Sequence, residues 1–234
     1  MKYFSVVFIC SFLFAACGND TSKNEMLLTG EVKGLKKGTL WLQKFDDSVF
    51  VSVDSMVVDG SSMFTFSEEI TTPEVYFLAM TFQDSSNIVK RIPFFAEAAS
   101  LSIYSTLEDY ERGVRITGSV NQEKMDQYTA LMKRFYNQNL ELIEDGLNAM
   151  KDGNDSLSTV VRNKQDRLLK NTYLAAVNFA INHSNFEVAP YIMLTEVPDV
   201  NTKYLDTVYS SLTPKIKDSK YGKALESFIQ DRKN

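Results

Sequence analysis

The chain has 234 residues, with 25 basic against 30 acidic side chains and a formal net charge of −5. That balance leaves no electrostatic footprint for nucleic acid, and no polybasic stretch offers one to an anionic lipid surface. A hydrophobic content of 44% suits a globular chain able to bury one good core or two small ones.

Residues 1–16 follow the plan of an export signal. Lys2 supplies the positive end, Tyr3–Phe14 is an uncharged and largely apolar run, and Ala15-Ala16 are the small residues a signal peptidase needs. The run is too short for the ~20 residues of a membrane-spanning helix. Leu13-Phe14-Ala15-Ala16-Cys17 resembles the lipobox recognised by lipoprotein signal peptidase, with Phe14 where leucine is usual. The resemblance implies cleavage before Cys17 and acylation of its thiol, so the protein's membrane partner is reached through lipid on Cys17. Each buried methylene contributes ~0.8 kcal/mol, so two or three acyl chains anchor stably where one does not. Cys10 leaves with the signal and acylation consumes Cys17, so neither a disulfide nor redox chemistry is expected. Residues 17–25 read as a polar tether.

Residues 26–118 read as short strands between turn residues, the pattern of an antiparallel β-sandwich. The expected strands are Met26–Val32, Thr39–Leu42, Val49–Val58, Met63–Phe66, Glu74–Phe82, Ile88–Phe95, Leu101–Tyr104 and Val114–Thr117. Asp59-Gly60 marks a hairpin turn, and Pro73 and Pro93 are expected near strand ends. After Gly118 the period changes to 3.6. Ser119 and Gln122 form a capping box. Met125, Tyr128, Met132, Phe135, Leu142 and Leu147 are expected on one face of a long helix. A break at Lys151–Ser156 leads to a second long helix marked by Leu157, Val161, Lys164, Leu168, Ala175 and Phe179. The two should pair as an antiparallel hairpin. Shorter helices follow around Val188–Glu196, Thr202–Leu212 and Tyr221–Gln230. The expected fold class is therefore α+β: a sandwich over residues 26–118 and an all-helical region over residues 119–234.

The β half carries an ordered series of signatures. Gly30-Glu31-Val32-Lys33-Gly34 leads to Leu40-Trp41-Leu42, and Asp54–Gly60 leads to Phe64-Thr65-Phe66. Pro73–Leu78 and Ile116-Thr117-Gly118-Ser119 complete the set. Together they resemble the uncharacterised N-terminal β-domain of many thioredoxin-like thiol–disulfide lipoproteins of Gram-negative bacteria. Ala189–Leu194 and Ser219–Leu225 resemble the helical linker that follows it there. In that family a thioredoxin fold with Cys-x-x-Cys comes next. This chain ends at Asn234, so the expectation is architecture and envelope location without redox activity.

Candidate site residues are few. His183, the only histidine, sits in a helix-end context that suits carbonyl capping better than catalysis or zinc. Asp152–Ser156 lacks the glycine and glutamate spacing of a calcium loop and reads as a turn. Asp46-Asp47 and Glu68-Glu69 could pair for acid–base work but fall at turns or strand ends. Two candidate contacts are Asp54, which suits a strand end or bulge, and Trp41, which either faces outward or covers the helical half. The Met and Tyr stripe of the first long helix reads as core.

The expected function is thus a lipid-anchored envelope protein, a non-enzymatic binding or accessory module on the outer membrane facing the periplasm. It needs no cofactor and no metal, and its further partner is an envelope protein. The alternative is an accessory partner of a separate thioredoxin-like thiol–disulfide oxidoreductase. Cys17→Ala should abolish metabolic palmitate labelling of the protein, and unchanged labelling would refute the anchor.

Overall fold

The computed structural model describes residues 24–46, 48–82 and 89–234. The expected export signal, Cys17 and most of the expected tether, together with Asp47 and Ile88, lie outside the described residues. The fold is α+β, with eight strands in two sheets followed by helices. The strands are β1 (Glu25–Lys33), β2 (Lys37–Asp46), β3 (Val49–Asp59), β4 (Met63–Glu69), β5 (Glu74–Thr81), β6 (Val89–Ala96), β7 (Ser100–Thr106) and β8 (Arg115–Thr117). The first sheet has order β4-β1-β7-β8 and the second β3-β2-β5-β6.

Strict alternation makes the sandwich. In β1, Met26, Leu28, Gly30 and Val32 are buried while Leu27, Thr29 and Glu31 between them face outward. Leu40 and Leu42, Leu78 and Met80, Ile92 and Phe94 do the same for the second sheet, and the two inner faces form one core. One pairing departs from the antiparallel expectation. β1 and β7 run parallel, in register from Leu27 opposite Ser100 to Lys33 opposite Thr106. Local alternation cannot reveal this, because the two strands are joined only through the whole second sheet. Pro93, expected near a strand end, instead lies inside β6 opposite Phe77.

Its place on an edge strand explains that tolerance. β6 ends the second sheet, and three consecutive outward backbone positions on its free edge are closed. The Arg91 N–H donates to Glu111 Oε1 at 3.0 Å, Pro93 has no N–H, and the Phe95 N–H donates to Gln122 Oε1 at 3.0 Å. Along these three positions the edge offers no free donor to another strand.

Two long helices, α1 (Val120–Lys151) and α2 (Asp155–Asn182), form the expected antiparallel hairpin. The short helices α3 (Val188–Thr195), α4 (Thr202–Ser211), α5 (Pro214–Lys217) and α6 (Lys220–Asp231) follow. They pack with the hairpin's base in a second core that closes on Val75 and Phe95 of the second sheet. The rings of Tyr191 and Tyr221 stand edge-on to Phe95, and the Tyr221 hydroxyl accepts from the Val75 N–H at 2.8 Å. Lys220 pairs with Glu74 beside them.

Ser119 caps α1 as expected, accepting from the Gln122 N–H at 3.0 Å. Gln122 does not return the bond, because its amide is committed to Phe95 and Asp126. Glu97 takes over: its Oε1 accepts from the Ser119 hydroxyl and the Asn121 N–H, both at 2.6 Å. The Asn121 side chain then bridges to the Glu187 carboxylate and the Val188 N–H at the start of α3. Gly118 makes this junction sterically feasible. Its φ is +98° and a Cβ there would lie 2.1 Å from the Ser100 carbonyl oxygen.

Burial pushes the phenols of Tyr76, Tyr110, Tyr128 and Tyr221 well above the usual tyrosine range. Tyr110 also donates its hydroxyl hydrogen to the Leu78 carbonyl at 2.9 Å. The unfolded chain ionises these groups near about 10, so their contribution to stability is intact below that pH and declines above it. In an alkaline titration, tyrosinate absorbance from these four residues should rise only together with loss of near-ultraviolet circular dichroism. Their ionisation in the folded protein would contradict that burial.

Candidate functional site

The sandwich has two outer faces. The first sheet presents Thr29, Glu31, Thr65, Ser67 and Ser102 together with Leu27 and the exposed Met63 and Tyr104, the last under the Arg115 guanidinium. The second presents aromatics. Cross-strand register places Trp41, Ser55, Ala79 and Arg91 in one row of its outer face. Gln43, Ser52, Phe77 and Pro93 form the next row, and Phe45 lies opposite Phe50 in the row after that.

A bulge brings Phe50 into this face. The β2–β3 register shifts between Leu42 and Gln43, so that Leu42 faces Asp54 while Gln43 faces Ser52, and Val53 is left over. Side chains alternate with a period of two, so one extra residue inverts the phase of everything beyond it. Without it, Val51 and Val53 would point outward in place of Phe50 and Ser52.

The aromatic cluster is built around Arg91. Its guanidinium lies 4.0 Å from the centre of the Phe50 ring, a cation–π contact of about 0.5–2 kcal/mol. Phe50 stands edge-on to Phe45 at 5.2 Å and to Phe77 at 5.0 Å. Arg91 Nε donates to Gln43 Oε1 at 3.1 Å, and Gln43 Nε2 donates to Ser52 Oγ at 3.0 Å, which fixes the guanidinium from below. Trp41 lies beside this group with its indole N–H donated to Thr81 Oγ1 at 3.0 Å. Phe45 and Phe50 are exposed, and Trp41, Phe77 and Arg91 half-buried.

The expected site residues fall in different places. Trp41 faces outward in this patch and does not cover the helical half. Asp54 is exposed beside the bulge, where its Oδ1 accepts from the Ser55 N–H at 2.7 Å. His183 is the C-cap of α2, with Nδ1–H donated to the Phe179 carbonyl at 2.8 Å and its ring stacked on Phe179. Residues 152–154 form the hairpin turn, where Asn154 caps α2 through the Leu157 N–H. Glu68 and Glu69 are adjacent in β4 and so point to opposite faces of the strand. The partner of Asp46 in the other acidic pair lies outside the described residues.

Along α1, Tyr128 and Met132 are buried, but Leu147 is not on their face as expected. It lies five residues beyond Leu142, about 140° round the helix from that residue. Phe45, Phe50, Phe77 and Arg91 are cluster members that sequence patterning missed. The alternation Trp41-x-Gln43-x-Phe45 was the available signal for the β2 side of it.

A cleft of about 460 Å³ lies between β6, residues 111–116 and the start of α1. Of its polar lining, Glu111 and Gln122 bond the β6 edge and Asp126 holds Gln122, while Arg112 and Thr129 also face it. Among the described residues no cluster of three or more histidine, cysteine or acidic side chains is arranged to hold a metal, and no helix is long and apolar enough to cross a membrane.

Residues 26–125 match the family model described as a domain of unknown function, DUF4369. The matched segment spans the whole sandwich and the first turns of α1. No curated protein matches the chain.

Arg91→Ala should leave Gln43 Oε1 without its donor and Phe50 without its cover. Denaturant unfolding should show a loss of about 1–2 kcal/mol. A change below the error of the measurement would mean that Arg91 merely rests on the surface.

Proposed function

We propose that the protein is a lipid-anchored, non-enzymatic binding module of the cell envelope that docks an envelope protein on the outer face of its second sheet. The observation that carries this reading is the fixed Arg91 within exposed aromatics. Phe45, Phe50 and Trp41 offer large rigid contact area at low entropic cost, and aromatic and arginine side chains are the commonest anchors of protein interfaces. Gln43 and Phe50 hold the guanidinium in place before a partner arrives. The matching partner surface is apolar with a carboxylate over Arg91.

On this proposal the anchor is lipid on Cys17 and the location is the outer membrane, facing the periplasm. The partner to seek first is a separate thioredoxin-like thiol–disulfide lipoprotein, since the signatures of the sandwich resemble a domain found beside that fold. In this reading the chain is an accessory and carries no redox chemistry itself.

A photo-crosslinking residue at Phe50 tests the proposal in intact cells, with Thr65 on the opposite face as control. Phe50 should cross-link to a defined envelope protein, and Arg91→Ala should reduce that product several-fold. Equal products from both positions, or indifference to Arg91→Ala, would overturn it.

A further inference from the structure

The far half of the helix hairpin is exposed to an unusual degree. Between Met132 and Ala176 only Ala149 and Val161 are buried in the two long helices. Met132, Phe135, Asn139 and Leu142 line the grooves shared with α2, Gly146 approaches Val161 and Ala149 is buried, which makes the α1 side of the hairpin seam a ladder with alternating steps of three and four. A second ladder lies one residue further along the same helix: Tyr136, Leu140, Ile143, Leu147 and Met150. Their exposures are 70, 62, 42, 63 and 68%. One residue is about 100° of helix rotation, so this apolar ladder stands at right angles to the α1–α2 contact. Its steps of four and three are those of a coiled-coil seam, which has no partner helix in the protomer.

The two sides of the hairpin differ. One groove between the helices is lined by Glu141 and Asp145 of α1 with Lys164 and Arg167 of α2. The other is lined by Tyr136 of α1 with Leu168 and Leu169 of α2. Asp166 and Arg162 are exposed about one and two turns before Leu169 on that second side of α2.

We infer that this side of the hairpin is a self-association surface, on which a second copy packs antiparallel to complete a four-helix bundle. Three observations select a second copy. First, the ladder is self-complementary about Ile143. In an antiparallel two-fold pairing Tyr136 meets the partner's Met150, Leu140 meets the partner's Leu147, and Ile143 meets itself, so every layer is apolar. Second, the same axis pairs charges on α2. A Cβ on Gly146 would sit 3.4 Å from Val161, which fixes the α1–α2 register and sets residue 164 level with Ile143. Arg162 then falls level with the partner's Asp166, and Asp166 with the partner's Arg162. Third, the area is sufficient. The five side chains leave on the order of 500 Å² of apolar surface in water, near the upper end for a monomer and over half of the ~800 Å² per partner of a stable interface.

The right angle between the two seams on α1 gives a square arrangement, with α2 beside the partner's α2, as in antiparallel bundles. The polar groove carrying Lys164 and Arg167 stays in water.

Disulfide cross-linking of the full chain in its own membrane tests this. Ile143→Cys, which meets its own copy at the axis, should give at least tenfold more dimer on mild oxidation than the wild-type chain. Val160→Cys, exposed on the other side of α2, should give no more than wild type. In the Ile143→Cys background, Leu140→Asp with Leu147→Asp should abolish the dimer. Arg162→Asp should reduce it and Arg162→Asp with Asp166→Arg should restore it. No dimer from Ile143→Cys, equal dimer from Val160→Cys, or failure of the double charge exchange to restore it would each overturn the inference.

Discussion

The arrangement of the molecule depends on one buried polar junction, where the sheet hands the chain to the helices. Glu97, at the end of β6, accepts from both the Ser119 hydroxyl and the Asn121 amide. Asn121 in turn holds the start of α3 through Glu187 and Val188. Buried polar groups are costly unless every member is paired, and here each bond also has a required direction. Ser119, Asn121 and Glu187 are buried, so α1 cannot swing without stranding them. Apolar contact around Val75 and Phe95 gives the junction its adhesion, while the hydrogen bonds set the angle at which the hairpin leaves the sandwich.

That division explains what sequence patterning could recover. Period-two alternation marked strands with one buried face, such as β1, β4 and β7, whereas β3, exposed along nearly its whole length, was carried by its β-branched residues; the change of period at Gly118 marked the long helices. The Ser119 cap was legible, but the diversion of Gln122 was not, since its partner Phe95 is distant in sequence and adjacent only through the fold. The parallel β1–β7 pairing was hidden for the same reason. Within the aromatic patch, Val53 is the obstacle. A bulge leaves the local composition of β3 unchanged and yet reverses which of its residues face outward, so Phe50 could be placed only once Leu42 and Gln43 had been paired. On α1 the miss was different. The expected face mixed Leu142 with Leu147, which belong to two apolar seams a quarter-turn apart.

The two candidate surfaces are built by contrasting means. The face around Arg91 is rigid because its polar groups are already satisfied, so a partner would meet a preorganised surface and lose little side-chain freedom on binding. The ladder from Tyr136 to Met150 is ordered only by the helix that carries it. Such surfaces gain their specificity from register, and the close fit at Gly146 and Val161 supplies that register.

That contact has a further consequence for how the hairpin comes apart. Beyond Met132 on α1, and before Ala176 on α2, the pair is held like a row of fasteners in single file, each contributing only to its neighbours. Ala149 and Val161, at the far end, are the only buried teeth in that row. Opening therefore has two natural places to begin: the Gly153 turn, and the stretch between Val161 and Ala176 where nothing is buried. The sandwich and the hairpin's base can stay folded while that stretch opens and recloses, which makes the outer hairpin a separate cooperative unit.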